Sequence, residues 1–278
     1  MLPDLSLQKV LAEYIAYLFV STKKLKLEKT LLLFGQGANG KSVFFEIVSA
    51  LLGEENISSF SLQSLTDGAG YYRAKLGDKL ANYSSEINGN LEASLFKQLV
   101  SGEPVEARLP YGEPFTLTNY AKLIFNCNEL PKDVEHSNAF FRRFLIVPFN
   151  ITIPEAEQDK ELAKKIIQAE LSGVFNWVLE GMKRLLSQKN FTESEIVRNQ
   201  VEEYKRQSDN VSLYLEEHNY NISVSETIAF KVLYGEYRDY CRDCGYHCCT
   251  KRTFGERLRN LGYTLERKAA GMVIYIEK

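Results

Sequence analysis

Leu31-Leu-Leu-Phe-Gly35-Gln-Gly-Ala-Asn-Gly40-Lys41-Ser42 is an apolar run that passes directly into G-x-x-x-x-G-K-S. The apolar residues predict a core strand. The stretch Val43 to Leu52 repeats apolar positions at helical spacing, and Gly53 ends it. A glycine-rich turn between strand and helix is the pattern of a phosphate-binding loop. Glycines 35, 37 and 40 let the backbone turn tightly and aim N–H groups inward at an anion. The phosphates then meet the positive end of the following helix. The spacing makes Gly35, Gln36, Gly37, Ala38, Asn39, Gly40, Lys41 and Ser42 the candidate nucleotide-binding residues, with Lys41 on the β- and γ-phosphates and the Ser42 hydroxyl on Mg2+. The plain alternative is a glycine-rich turn with no ligand.

Working outward, residues 5–20 read as a helix carrying Leu7, Val10, Leu11, Tyr14, Ile15 and Leu18 on one face. Residues 79–85 read as a strand, 92–100 as a helix broken by Gly102-Glu-Pro104, and 105–108 with 115–118 as a hairpin. Residues 122–126 and 144–149 read as further core strands. Strands alternating with helices predict an α/β core. From Pro154 to about Arg206 the pattern is helical, and the polar stretch 187–210 reads as a bridge between domains. Helices are expected near 211–218, 226–243 and 251–261, then a hairpin through Ala269-Ala270-Gly271, a winged-helix layout. The expected division is a helical segment at 1–28, an ATPase core at 29–150, a helical segment and linker at 151–208, and a winged-helix domain at 209–278.

A phosphate-binding loop also needs an acid on a neighbouring strand, a polar group that senses the γ-phosphate, and a cation for transition-state charge. Glu86 closes a strand 45 residues after Lys41, Asn128 follows the strand 122–126, and Arg142-Arg143 precede the strand 144–149. Singly these read as a rim carboxylate, a turn former and a solvated basic pair. In this order behind the loop they support one another as catalytic candidates.

The 278 residues suffice for a main domain and a smaller one, and 45% hydrophobic with 25% charged residues is ordinary for a globular protein. A net charge of −2 means that any nucleic-acid surface must be a local patch. No stretch approaches the roughly 18 apolar residues of a membrane span, and the N-terminus lacks a signal-peptide pattern, so a cytoplasmic location with no membrane partner is expected. Of five cysteines, four fall within Cys241-Arg-Asp-Cys244-Gly-Tyr-His247-Cys248-Cys249, which reads either as reduced thiols around a helix end or as zinc ligands.

The chain resembles the helicase domain of phage and plasmid primase-helicases, superfamily 3 within the AAA+ ATPases, related to the poxvirus primase-helicase. The resemblance rests on Gly35 to Ser42, Ser85-Glu86, Leu95 to Pro104, Ala107-Arg108, Tyr111 to Phe115, Asn128-Glu-Leu-Pro131, Arg142-Arg143 to Pro148-Phe149, and Asn176-Trp177 to Glu180-Gly181. Tyr240-Cys241 to Leu258 resembles the winged helix that often follows. It implies that Lys41 and Ser42 hold phosphate and Mg2+, that Glu86 is the Walker B acid and a metal ligand, that Asn128 is the sensor, and that Arg142 or Arg143 is a finger acting on a neighbouring subunit. Ser85 stands where many such enzymes have a metal-holding Asp, which leaves Glu86 to serve both metal and water. The stretch before residue 28 is too short for a primase, so priming is not expected of it.

The same resemblance places the 105–117 hairpin in the central channel of a ring, with Arg108 and Tyr111 as candidates to grip single-stranded DNA. The alternative is a plain surface hairpin. In the C-terminal unit, Phe254, Leu258 and Leu261 are expected to be buried, leaving Lys251, Arg252 and Arg259 outside to meet duplex phosphates. The reading is an ATP-dependent, Mg2+-requiring hexameric DNA helicase in replication of a phage, plasmid or other mobile element, working with a primase or other replication proteins. Two other readings stand beside it: an ATP-switched initiator or loader without processive unwinding, and a small-molecule kinase.

Overall fold

Residues 31–33 are buried on both faces of their strand, which is why the sequence there is continuously apolar and does not alternate. In the computed structural model, which describes residues 2–85, 87, 91–131, 134–269 and 271–278, this strand lies inside a five-stranded sheet. The chain divides into two compact units, residues 1–203 and 204–278.

The first unit opens with helix α1 (Leu5–Leu18), capped by the Asp4 side chain on the Ser6 and Leu7 amides. Strand β1 (Thr30–Phe34) and helix α2 (Lys41–Leu52) flank the glycine-rich loop. Strand β2 (Ile57–Ser58), the single-turn helices α3 (Leu62–Leu65) and α4 (Tyr71–Ala74), and strand β3 (Ala81–Ser84) follow. Then come helix α5 (Ala93–Ser101), the antiparallel pair β4 (Val105–Ala107) and β5 (Phe115–Leu117), and strand β6 (Lys122–Cys127). Helix α6 (Asn138–Phe141), strand β7 (Phe144–Pro148), the long helix α7 (Leu162–Gln188) and helix α8 (Glu195–Gln207) complete this part of the chain.

The sheet order is β2-β3-β6-β1-β7, and every pairing is parallel. Leu31 pairs with Ile124 on one side and Leu145 on the other. All C-terminal strand ends therefore lie along one edge, where the crevices of open parallel sheets bind ligands. Helix α7 packs against α1 and α2. Its Gly181 approaches α1 so closely that a Cβ would stand 2.6 Å from the Ala12 carbonyl carbon. The fully buried Glu13 beside it accepts hydrogen bonds from Arg184 Nε at 3.0 Å, Thr192 N at 2.7 Å and Thr192 Oγ1 at 2.6 Å. That partnering is what a buried carboxylate requires.

The second unit contains helix α9 (Asn210–Glu217), strand β8 (Asn221–Ala229), helices α10 (Phe230–Asp243) and α11 (Lys251–Asn260), and strands β9 (Leu265–Lys268) and β10 (Gly271–Glu277). The strands form an antiparallel sheet of order β8-β10-β9. Its core includes Tyr214, Tyr237, Phe254, Leu258, Ile274 and Ile276.

Two expectations are corrected here. Residues 226–229 are strand and not helix. Ile222, Val224, Thr227 and Ile228 are β-branched, and the segment pairs with β10 before the helix starts at Phe230. A strand thus stands between the first two helices of the unit. Leu261 is 39% exposed at the end of α11 and does not share the buried face of Phe254 and Leu258.

Candidate nucleotide and nucleic-acid sites

The loop after β1 is held from several directions. The Gly35 amide donates to the Cys127 carbonyl at 3.1 Å, and the Ile153 amide donates to the Ala38 carbonyl at 2.8 Å. Asn39, buried, donates through Nδ2 to the Phe149 carbonyl at 2.9 Å and to the Gln36 carbonyl. A Cβ at Gly35 would stand 2.4 Å from the Phe149 oxygen, so only glycine fits this close approach. Gly40, at φ 91°, turns the chain into α2.

Lys41 opens α2 and is 7% exposed. Its ammonium donates to the Gly35 carbonyl and to Asn39 Oδ1 at 3.3 Å. Burial pulls its pKa below the usual lysine range. The same burial pushes the neighbouring Cys127 thiol up to about 12, with Lys41 acting in the opposite sense.

A cavity of about 500 Å³ lies over the loop, lined by residues 37–43, Ser85, Asn126, Asn128, Ile153, the 157–160 segment and Leu162. A second, of about 520 Å³, is lined by Ser42, Phe45, Ser59, Phe60, Ser61, Ser64, Tyr83, Ser84, Ser85 and Asn126. Ser42, Ser85 and Asn126 line both. The set brings together Lys41, Ser42 and Asn128. Glu86 lies outside the described residues. Loop amides, a lysine and hydroxyl and carboxamide groups suit a nucleotide polyphosphate, and Ser42 adds an oxygen of the kind Mg2+ takes beside phosphate.

Sequence reasoning did not find Asn126 or the 153–162 segment. Asn126 announces itself as the one uncharged polar side chain in Lys-Leu-Ile-Phe-Asn-Cys. The 153–162 segment follows β7, whose C-terminal end adjoins the loop, and periodicity alone does not place it there.

The two arginines lie at the opposite end of the sheet. The Thr30 amide donates to the Arg143 carbonyl at 2.8 Å and the Lys29 ammonium to the Arg142 carbonyl, so both lie beside the N-terminal end of β1. Five strand residues, roughly 16 Å at about 3.3 Å each, separate them from the loop. Arg143 is buried, with Nη2 donating to Ser101 Oγ at 2.9 Å and Nη1 to the Ala139 carbonyl. Burial lowers its pKa, while the nearby Glu28 carboxylate works to raise it. Arg142 is exposed and pairs with Glu28 at 2.7 Å.

At the β4–β5 hairpin, Arg108 sits at the base, its Nη2 donating to Tyr71 Oη at 3.0 Å and its guanidinium 5.1 Å from that ring. Tyr111 is fully exposed at the tip, and Leu109 and Phe115 are exposed beside it. The latter two were not expected. Buried Arg73 anchors the base, donating through Nε to the Glu106 carbonyl at 3.0 Å and through Nη1 to the Leu65 carbonyl at 3.0 Å.

On α11, Lys251, Arg252 and Arg259 face solvent. Arg252 pairs with Glu256 at 3.0 Å, and Lys251 lies 5.4 Å from the Phe230 ring. Arg257 turns inward to Asn210 Oδ1 at 3.2 Å. Cys241 is buried while Cys244 and Cys248 are exposed. Among the described residues, no group of three or more His, Cys, Asp or Glu is placed to hold a metal ion, and no helix is long and apolar enough to cross a membrane.

Residues 33–143 match a family described as a family of unknown function, DUF5906. Over 152 residues the chain is 28% identical to a protein of Acanthamoeba polyphaga mimivirus named "Putative helicase L207/L206". That match takes in 50% of this chain and only 15% of the relative. The fold resembles the A form apo structure of the NrS-1 C-terminal region, with a TM-score of 0.55 over 95% of this chain and 69% of that one, at 18% identity.

Proposed function

We propose that this chain is the motor of an ATP-dependent DNA helicase of the superfamily 3 type, acting as a hexameric ring in replication of a phage, plasmid or other mobile element. The observation that carries the reading is the cavity over the Gly35–Ser42 loop, where Lys41, Ser42, Ser85, Asn126 and Asn128 converge. The similarity to a protein named as a helicase supports it. Bound there, a nucleoside triphosphate supplies the reactive phosphoanhydride. Lys41 exchanges its loop carbonyl for the β- and γ-phosphates, Ser42 holds Mg2+, Asn128 contacts the γ-phosphate, and Glu86 accepts the proton of the attacking water.

Arg142 is the finger in this reading. It lies too far from its own loop to act there, and its exposure suits a neighbour's site. Arg143 is a structural residue of its own subunit. The second unit, with a strand between its first two helices and a basic α11, is read as a winged helix that adds duplex contacts. The hairpin tip touches the translocating strand.

Hydrolysis measured with and without single-stranded DNA tests the motor reading. Stimulation by DNA together with strand displacement is the expected result. Hydrolysis without displacement would favour an assembly switch, and turnover on free nucleosides a kinase. Lys41→Ala is expected to abolish turnover while leaving the fold intact, because it removes a charge-assisted phosphate contact. Normal turnover in a folded Lys41→Ala protein overturns the assignment.

A further inference from the structure

Asn126 stands at the junction of the two cavities, on the edge where β3 and β6 end. It has an ordered neighbour. Tyr83, in the middle of β3, donates its hydroxyl to Asn126 Oδ1 at 3.1 Å. The Tyr83 ring is 1% exposed and meets Phe45 of α2 edge-on at 4.7 Å. A buried hydroxyl must place its hydrogen on an acceptor, and the carboxamide oxygen is that acceptor here. The carboxamide oxygen is thereby held toward Tyr83, and the residue that carries it lines both cavities. Burial holds the phenol well above its ordinary pKa, so it stays a donor at any physiological pH.

Resting on the nucleotide reading of the loop, we propose that Asn126 is a further catalytic residue, which presents its amide N–H groups to the phosphoryl group in transfer. Tyr83 is a positioning residue that acts through it. The water oxygen forms the new P–O bond as the bridging bond to the β-phosphate breaks. That bond's electron pair leaves with the nucleoside diphosphate, and the water proton passes to a carboxylate. Negative charge is then spread over the equatorial phosphoryl oxygens, where a fixed neutral donor acts more strongly on the transition state than on the bound substrate. Asn128 lines only the loop cavity, whereas Asn126, with Ser42 and Ser85, lines the serine-rich one as well. In this proposal the attacking water enters from the serine-rich cavity, in line with the leaving diphosphate, and Asn126 is the carboxamide that lines that cavity.

The test uses the full chain with MgATP, measuring kcat, KM and the Kd of a non-hydrolysable triphosphate. Asn126→Ala is expected to lower kcat about 10²–10³-fold, as loss of one transition-state donor does, with Kd within about threefold. Asn126→Asp, which replaces the donor by a carboxylate oxygen, is expected to be at least as slow. Tyr83→Phe keeps the ring packing and is expected to lower kcat about 5–10-fold, the net worth of one hydrogen bond, with Kd unchanged. Because Tyr83 acts only through Asn126, the double variant is expected to be no slower than Asn126→Ala alone.

Wild-type kcat in both single variants overturns the inference. So does a parallel loss of affinity and melting temperature, which is the mark of a structural role, or an additive double variant. Lys41→Ala is the control. If wild type turns over and Lys41→Ala does not, the outcome at Asn126 judges this inference alone. If wild type neither binds nor hydrolyses nucleotide, the reading of the loop fails and this inference falls with it.

Discussion

Lys122 shows how a single side chain writes its position into the pH dependence of the whole fold. It sits at the start of β6, donates to the Val20 carbonyl at 2.7 Å, and lies 4.5 Å from the Tyr17 ring. Burial nevertheless pulls its pKa down to about 8. An unfolded lysine titrates near ~10.4, so between these values the unfolded chain binds more protons and stability rises with pH. Below pH 8 both states carry the proton and the full cost is present, about 3 kcal/mol from the shift. Urea unfolding of wild type and Lys122→Met at pH 7.5 and pH 10 checks this. The wild type is expected to gain about 2–3 kcal/mol relative to the variant on going to the higher pH. A difference that stays flat would mean that the carbonyl and the ring fully offset the lost hydration.

Among the elements, the β4–β5 hairpin carries three exposed apolar side chains, Leu109, Tyr111 and Phe115, on a base pinned by buried Arg73. Stacking on such groups is worth about 1–3 kcal/mol per base. Replacing all three by serine is expected to weaken single-stranded DNA binding at least about tenfold. It is expected to leave DNA-independent hydrolysis unchanged and to lower the melting temperature only slightly, because Tyr111 is fully exposed and Leu109 and Phe115 are about half exposed. Unchanged DNA affinity would make the hairpin a plain surface feature. Helix α11 gives a second test: substituting Lys251, Arg252 and Arg259 together is expected to reduce the slope of log affinity against log salt on duplex DNA by up to about 2.7. Arg252 must first release Glu256, so the observed change is expected below that ceiling. An unchanged slope would turn the reading of this unit toward protein docking. These elements were not equally legible in the sequence. Strand β1 was, because burial on both faces leaves an uninterrupted apolar run before an ordered loop motif. Strand β8 was not, because Ser223, Ser225 and Glu226 interrupt its β-branched residues and its pairing with β10 is long-range. Asn126 left a signal, a polar residue in an apolar strand, but nothing in the strand's pattern marked it as part of the site. Its partner Tyr83 left none, since the β3–β6 register that joins them is tertiary.

For the whole molecule the decisive geometry is the separation of Arg142 from the Gly35–Ser42 loop. Adjacency in sequence made Arg142 and Arg143 indistinguishable; Ser101 and Ala139 draw one inward, and the other stays exposed. Arg142→Ala is therefore expected to keep nucleotide affinity and fold while hydrolysis falls steeply, since the charge acts on the transition state. Arg143→Ala is expected to lower stability by about 1–3 kcal/mol, from the carbonyl and hydroxyl left unpaired inside. If the finger works across a head-to-tail interface, each nucleotide site takes its loop from one subunit and its arginine from the next. Lys41→Ala subunits still supply Arg142, and Arg142→Ala subunits still supply the loop. Mixed in equal amounts at random, about a quarter of the interfaces join the two good halves. Hydrolysis above the level of either variant alone is the expected result, measured on assemblies shown by mass to contain both. Absence of rescue at every mixing ratio, in assemblies confirmed as mixed, would mean that Arg142 does not act across an interface. The exposed Arg142–Glu28 pair would then be a surface ion pair of the kind that contributes little to stability.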